Sequence, residues 1–568
     1  MRSTTIRILT GLLSILLFAL SLWAEDSRLE TGKLSWDLFG AAKLESERVR
    51  SGNEARTLSA LMIADQQVTG NMLLELQDAG YEILGSYGKF ISVRAPGDLY
   101  LDADGGVGSI GFITQATPPP AAIPSASQAT YDSATIASVT QVHKLGYLGQ
   151  GTRIAIIDEG FDIASERLLA INPSFHLARQ SLDVPEDYET LEGAVGKQSE
   201  HGTACALVAA QIAPEAEFYL LSFPDGMGLI GWLWALDYAI RELGVDVVTS
   251  SIEFVRPFCH ADGSGLLNQE VNNILRDTSS MLMIAAGNWA GGAGTNAAFY
   301  ANTYSDTDGD GYHDFTPDAL DLWDRKSLEI SAHAGDRITI ILEWDDWGYG
   351  VREQDLDLLL YESKRHRRIA TSQAVQSGLL DGLAPAEILS IILPFDGDYY
   401  IVIEDSGAYW HGTLPSTVAF HLNILNETAI FETVEHHMAQ GSIREVASNP
   451  NAISVGAVSP ETGEVRSYSS CGNAEVLDYQ NPKPELYAPD GPNAVMVGGF
   501  EGTSASTPYV AGVVLLLKSV APDFSQDEIV ALLQETGSIS RDSCGNPAYS
   551  INILEAMQKA LSNSQPEQ

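Results

Sequence analysis

Three short runs of this chain carry side chains able to share a proton: Asp158 ends TRIAIID, His201 opens HGTACALVAAQIA, and Ser504 lies in GTSASTPYVAGVVLLL. A serine hydroxyl is a weak nucleophile until a neighbouring base takes its proton. The imidazole of His201 can do so near neutral pH, and a carboxylate at Asp158 would fix its tautomer and stabilise imidazolium. Ser504 begins a helical run, where backbone N–H groups and the positive end of the helix dipole suit a developing oxyanion. Asn288, at the end of SMLMIAAGN, can add a side-chain amide to the same place. Taken singly each has a blander reading, since strand-end Asp and helix-start Ser usually cap and a lone His usually sits at the surface. Their shared order and setting point to chemistry.

The elements around them supply that setting. TRIAIID, AEFYLLSF, VDVVTSSI, SMLMIAAGN and AISVGAVS are near-continuous apolar runs of the kind that forms buried parallel strands. LIGWLWALDYAIRELG, TPYVAGVVLLLKSV and DEIVALLQET read as helices, so strand and helix alternate and a doubly wound parallel α/β sheet is expected. Reactive groups gather outside the carboxyl ends of such strands, which is where these residues fall. From about residue 302 to 430 the pattern changes. SLEISA, DRITIILEW, DLDLLLYES, AEILSIIL, DYYIVIED and STVAFHLNIL are short alternating runs with no helix between them, which predicts an antiparallel sandwich or jelly roll. The α/β unit therefore divides into 131–301 and 431–562, with an all-β domain inserted at 302–430. His201 and Ser504 stand 303 positions apart; without the 129 residues of 302–430 the interval is 174, a sensible span within one α/β domain.

Upstream, residues 57–113 follow the order βαββαβ of a ferredoxin-like unit, with Met72, Leu73 and Leu76 on one helical face. Pro118-Pro119-Pro120 and the small residues after them form an extended linker to residue 130. The first 24 residues have a basic start, an apolar stretch from Ile8 to Ala24 and then Glu25-Asp26, which reads as an export signal. Cleavage falls after Ala24 or near Ala19-Leu20-Ser21, and the alternative is a retained anchor.

The runs IIDEGFD, HGTACA, AAGN and GTSASTP, in that order, resemble the signature set of the subtilisin-like serine peptidases. The order Asp, His, Ser belongs to that family. The resemblance implies Asp158 as the histidine-orienting acid, His201 as general base, Ser504 as nucleophile and Asn288 as oxyanion donor. It further implies that 25–130 is a propeptide that chaperones and inhibits the enzyme, that VVTSSIEF pairs with substrate backbone, and that protein or peptide substrates are cut. Departures from the pattern are Glu159 after the acid, Ala204 in place of a second histidine, Ser506 and Tyr509 beside the serine, and Glu253 where the family has glycine. Glu253 either attracts a basic substrate side chain or faces solvent from a loop. A secreted binding or adhesion protein on a peptidase scaffold is the competing reading.

Asp306, Asp308, Asp310 and Asp314, with Gly311 at the turn, place carboxylates at alternate positions, a spacing that can wrap a hard cation. A structural Ca2+ is the expectation and a solvated acidic turn the alternative; catalysis needs no cofactor. Pro317 stands where an EF-hand loop ends in glutamate. The whole chain has 75 acidic residues against 32 Lys and Arg, a net charge of −43, which repels phosphate backbones and anionic headgroups. Nucleic-acid partners are therefore not expected, nor a membrane role beyond the signal, and the protein should be secreted, periplasmic or at the cell surface. Of four cysteines, Cys471 and Cys544 lie in polar, loop-like sequence and could pair after export, while Cys205 reads as a buried small hydrophobe.

Overall fold

The computed structural model describes residues 57–63, 67–78, 81–96, 133–161, 175–177, 200–222, 228–254, 263, 265–345, 355–373, 385–406, 418–472, 483–491 and 500–563. The export signal, the linker, and the second helix and last strand expected of the N-terminal unit lie outside them. That unit shows β1 (Thr57–Ile63), α1 (Gly70–Asp78), β2 (Glu82–Tyr87) and β3 (Phe90–Pro96), in an antiparallel sheet of order β1-β3-β2. Leu76, Ile91 and Val93 form its small core. Gly88 makes the β2–β3 turn at φ +56°, where a Cβ would meet the carboxylate of Glu270.

The next stretch holds α2 (Ser133–Lys144), β4 (Arg153–Asp158), β5 (Phe175–Leu177), α3 (Glu200–Ile212), β6 (Glu217–Ser222), α4 (Gly228–Arg241), β7 (Val247–Ser250), α5 (Leu266–Leu275) and β8 (Met281–Ala285). An antiparallel region follows: β9 (Ala297–Thr303), α6 (Leu322–Lys326), β10 (Leu328–Ala332), β11 (Arg337–Trp344), β12 (Leu356–Glu362), β13 (Arg367–Ser372), β14 (Ala386–Ile392), β15 (Gly397–Asp405), β16 (Ala419–Asn426) and β17 (Thr433–Val434). The chain closes with β18 (Ile453–Val458), β19 (Leu486–Pro489), α7 (Thr503–Val520), α8 (Gln526–Thr536), β20 (Ser538–Arg541), β21 (Pro547–Ser550) and α9 (Ile553–Asn563).

One nine-stranded sheet, of order β20-β21-β19-β18-β8-β7-β4-β6-β5, joins the first and last of these regions. It is parallel from β21 to β5, with only the β20–β21 hairpin antiparallel. Strand β4 explains the continuous apolar run. Ile154 and Ile156 enter the core beneath α3 and α7, while Ala155 and Ile157 enter the opposite core beneath α4 and α5. A strand covered on both faces has no polar side to show. Helices α3 and α7 run side by side in the same direction: Cys205 meets Ser504 at one end, and Gly512 lies so close to Ile212 that a Cβ would sit 2.6 Å from it at the other.

The antiparallel strands form two sheets, β13-β12-β15-β10-β17 and β14-β11-β16-β9, around a shared core that includes Ile330, Ile340, Leu342, Leu358, Ile401 and Ile424. These strands reach from Ala297 to Val434, a few residues wider on each side than 302–430. The short helix α6 interrupts them, capped by Asp321, whose carboxylate accepts from Trp323 N and Asp324 N. The expectation of strands without an intervening helix is corrected there. Among the described residues no helix is long and apolar enough to cross a membrane.

Cys471 and Cys544 are disulfide-bonded across 73 residues, and Cys205 is free and buried. The bridge ties the loop before β19 to the β20–β21 turn and encloses Ser504 within its span. Replacing both cysteines by serine should cost roughly 2–5 kcal/mol of unfolding free energy, measured by urea denaturation. An unchanged midpoint and slope would show that the bridge constrains nothing.

Candidate active site

Asp158 closes β4, whose backbone is paired on one side with β6 and on the other with β7. Its side chain is fully buried: Oδ1 accepts from Glu159 N at 2.9 Å, and Oδ2 accepts from His201 Nδ1 at 2.8 Å. An ionised carboxylate only accepts, so Nδ1 carries the proton and Nε2 is left as the basic nitrogen. Nε2 is buried and has no hydrogen-bond partner among the described residues. His201 can lie so near because Gly202 follows it. A Cβ there would sit 2.3 Å from Gly160 O and 2.8 Å from Asp158 Cβ, so only glycine lets α3 start against the β4 turn. Phe500 meets the imidazole edge-on, ring centres 5.5 Å apart.

Burial pushes the His201 pKa down, but the Asp158 charge and hydrogen bond, with a smaller part from Glu159, outweigh it and leave the pKa above the usual 6.5. Cys205, one turn further along α3, is pushed well above a thiol's ordinary value, chiefly by burial, and so remains an uncharged thiol rather than a rival nucleophile.

Ser504 is the second residue of α7 and nearly fully buried. The turn before it is pinned from several sides. Gly502 adopts φ +107°, and a Cβ on it would lie 3.0 Å from Asn288 Nδ2. Asn288 Oδ1 accepts from Thr503 N at 3.1 Å and from Thr503 Oγ1 at 3.0 Å. The amide is thereby oriented with Nδ2 toward the Gly502 turn. Behind the turn, Asp490 is held by Arg466 at 2.9 and 3.0 Å and by Tyr468, and Gly502 N reaches it at 3.5 Å. The Ser504 carbonyl accepts from Ser251 Oγ at 3.1 Å and from Cys205 Sγ at 3.6 Å. Asp158, Ser251 and Asn288 thus follow three adjacent parallel strands, β4, β7 and β8, at their carboxyl ends. Asp158 meets His201, Asn288 meets the turn at Thr503 beside Ser504, and Cys205, one turn after His201, meets the Ser504 carbonyl.

Sequence reasoning missed several supports. It assigns Ser251, Asp490 and Arg466 no role of their own, although Ser251 lies inside the VVTSSIEF run and Asp490 inside PELYAPDG, a run that resembles another landmark of the subtilisin-like peptidases. The departures also find physical reasons. Ser506 Oγ donates to Ala488 O on β19, and Ala204 is buried in the α3 packing. Glu253 corrects the loop alternative, because it is 6% exposed and its Oε2 accepts from Trp289 Nε1 at 2.6 Å. Burial pushes its carboxyl up to about 7, opposed by the Trp289 hydrogen bond and the Arg444 charge.

The acidic loop sits elsewhere, before α6. Ligand oxygens of Asp306, Asp308 and Asp310 lie within 4.8 Å of one another. Asp308 pairs with Arg325 at 2.7 Å, and Asp310 faces Lys326 at 3.9 Å. Asp314 does not join them: its Oδ2 accepts from Thr307 N and Thr307 Oγ1.

The Asp158–His201 pair makes a direct expectation for titration. Histidine NMR should place the His201 midpoint above 6.5, since the charged partner favours imidazolium. Asp158→Asn removes that charge and leaves burial, so the midpoint should fall below 6.5. A midpoint unmoved by the substitution would contradict the pairing.

Residues 426–556 match the Peptidase_S8 model, the subtilase family. The subtilisin-like protease SBT3.10 of Arabidopsis thaliana is 39% identical over 77 residues, 12% of this chain and 10% of that protein. The chain thus spans about a tenth of the length of the curated relative it matches. Among solved structures, the Clostridium perfringens CspB protease is 14% identical, covering 76% of this chain and 99% of its own, at a TM-score of 0.47. The epidermin leader peptide processing serine protease EpiP of Staphylococcus aureus is 11% identical, covering 90% and 100%, at a TM-score of 0.41. The matched segment, residues 426–556, includes Ser504 and the Asp490 that supports its turn, and over that segment the chain is similar to the subtilase family.

Proposed function

We propose that this protein is an exported serine endopeptidase that hydrolyses peptide bonds through an acyl-enzyme on Ser504. The observation that carries the reading is the 2.8 Å His201 Nδ1–Asp158 Oδ2 bond, which leaves Nε2 basic on a helix packed against the one Ser504 opens. In the first step Ser504 Oγ attacks the scissile carbonyl carbon while its proton passes to His201 Nε2. Asp158 stabilises the imidazolium through Nδ1–H, and the Asn288 amide donates to the oxyanion. The C–N bond then breaks, and His201 returns the proton to the leaving amine. Water, deprotonated by the same nitrogen, attacks the acyl carbon and frees Ser504.

Residues 25–130 are read as a propeptide, the chain's own inhibitor, following export directed by residues 1–24. Supporting this, the β2–β3 hairpin is seated on the peptidase helices: Trp234 Nε1 of α4 donates to Ser86 O at 3.0 Å, and Phe90 is buried in the core beneath α4. The two antiparallel sheets are read as a β-sandwich inserted into the peptidase domain. For Ca2+, three carboxylates suit a hard cation. We assign Asp306, Asp308 and Asp310 as its ligands, in competition with Arg325 and Lys326, and leave Asp314 out. Its role there is structural, with no part in the reaction.

Ser504→Ala should abolish hydrolysis of unstructured protein, followed by mass spectrometry of a denatured protein mixture. Asn288→Ala should lower kcat by roughly 10²–10³-fold, the established loss for one such donor in subtilisin. Undiminished cleavage by Ser504→Ala would end the mechanism. Millimolar Ca2+ should raise the melting temperature relative to chelator, by about 2.7 kcal/mol of stability at a hundred-fold excess over Kd. Asp306→Asn should remove that response; a rise that survives the substitution would place the ion elsewhere.

A further inference from the structure

The residue that follows Asn288 is gripped from three directions. Trp289 N donates to Ser470 Oγ at 2.9 Å, and Trp289 Nε1 donates to Glu253 Oε2 at 2.6 Å. The indole, 2% exposed, packs on Ala297 and Phe299 of β9, with Leu425 of β16 and Met438 alongside. Strands β9 and β16 belong to the four-stranded antiparallel sheet, so the ring is wedged between that sheet and the peptidase core.

Glu253 links the same point to the nucleophile. It stands two residues after Ser251, whose hydroxyl holds the Ser504 carbonyl. Its second oxygen lies against the peptide before Asn288: a Cβ on Gly287, which adopts φ +98°, would be 3.0 Å from Glu253 Oε1. A buried carboxylate is costly unless donors and a counter-charge offset its desolvation. Trp289 supplies a donor. Arg444 acts on Glu253 through its charge and is itself bound at 2.6 Å to Glu343 of β11, beside His421 of β16. The Trp289 ring packed on β9, and the Arg444 charge between Glu343 and Glu253, therefore link the antiparallel sheet to the backbone that carries the Asn288 amide.

We infer that Trp289 and Glu253 are positioning residues through which the antiparallel sheets fix the Asn288 amide for the oxyanion. The inference rests on the hydrolase reading above and gives the long intervening segment a part in it. Both side chains are buried, so they act through the backbone rather than by reaching into solvent. Each restricts rotation of the Gly287–Trp289 backbone, and a small displacement of a donor weakens its bond to a developing charge far more than it weakens substrate binding.

The test is a double-mutant cycle on the full chain. Trp289→Phe keeps an aromatic ring against Ala297 and Phe299 but removes the N–H together with part of the indole volume. It should lower kcat by about 10- to 100-fold with KM changed less than about two-fold. In an Asn288→Ala background the same substitution should change kcat less than about two-fold, because no amide remains to be placed. Glu253→Gln, which keeps volume and an acceptor, should lose less than Glu253→Ala and show the same dependence on Asn288. It carries the test if Trp289→Phe fails to fold. Equal losses in both backgrounds, or folded variants as fast as the parent, would overturn the inference while leaving the hydrolase reading intact. A parent chain that turns over nothing would sink both.

Discussion

Everything at this site depends on one buried hydrogen bond, in which Asp158 Oδ2 accepts from His201 Nδ1 and leaves Nε2 without a partner among the described residues. Asp158 is wholly buried, and a charge in that position is tolerable only because Glu159 N and His201 Nδ1–H satisfy it. The burial that would otherwise drive His201 neutral is outweighed by the Asp158 charge and hydrogen bond, which raise its pKa. Gly202 is the steric condition for this arrangement, because any side chain there would push α3 off the β4 turn. The electrostatics are therefore a consequence of packing, and the packing is a consequence of one missing Cβ.

The parallel sheet converts that local condition into a site. Adjacent strands β4, β7 and β8 end together, which puts Asp158, Ser251 and Asn288 on one rim. Helix α7 brings its first turn to the same rim, held by Asn288 in front and by Asp490 with Arg466 behind. Asp158, His201 and Ser504 come from three different elements, β4, α3 and α7, so their relative placement depends on the assembled sheet. The antiparallel sheets then press on the far side of Asn288 through Trp289, which makes their position relative to the rim a matter of chemistry as well as of architecture.

How much of this was legible in the sequence follows from what each residue needed. Strands β4, β6, β7, β8 and β18 were readable because both of their faces are covered, so nearly every side chain is apolar. Asp158 and Asn288 were readable because they stand at the carboxyl ends of such strands, and His201 and Ser504 because each stands in the first turn of a helix. The short strands β5, β13, β17 and β20, which pair at sheet edges, and the four-residue β21 were not, since they carry no sustained pattern; Arg367 and Arg368 in β13 are exposed. β9 was hidden because its start, Ala297, looks like the tail of the loop after Asn288. Contacts between distant positions, such as Trp289 with Ser470 across 181 residues and Arg466 with Asp490, leave no trace in local spacing. Glu253 misled for the same reason, because its donor lies 36 residues away. The aspartate spacing placed three carboxylates together, but could not anticipate that Thr307 would draw Asp314 aside.

The central claim is that folding makes one serine hydroxyl abnormally nucleophilic. Treatment of the intact chain with a fluorophosphonate, followed by peptide mapping, reads this directly. The account requires a single adduct on the peptide containing Ser504, absent when His201 is replaced by alanine. An unlabelled Ser504 in folded protein, or labelling indifferent to His201, would contradict it.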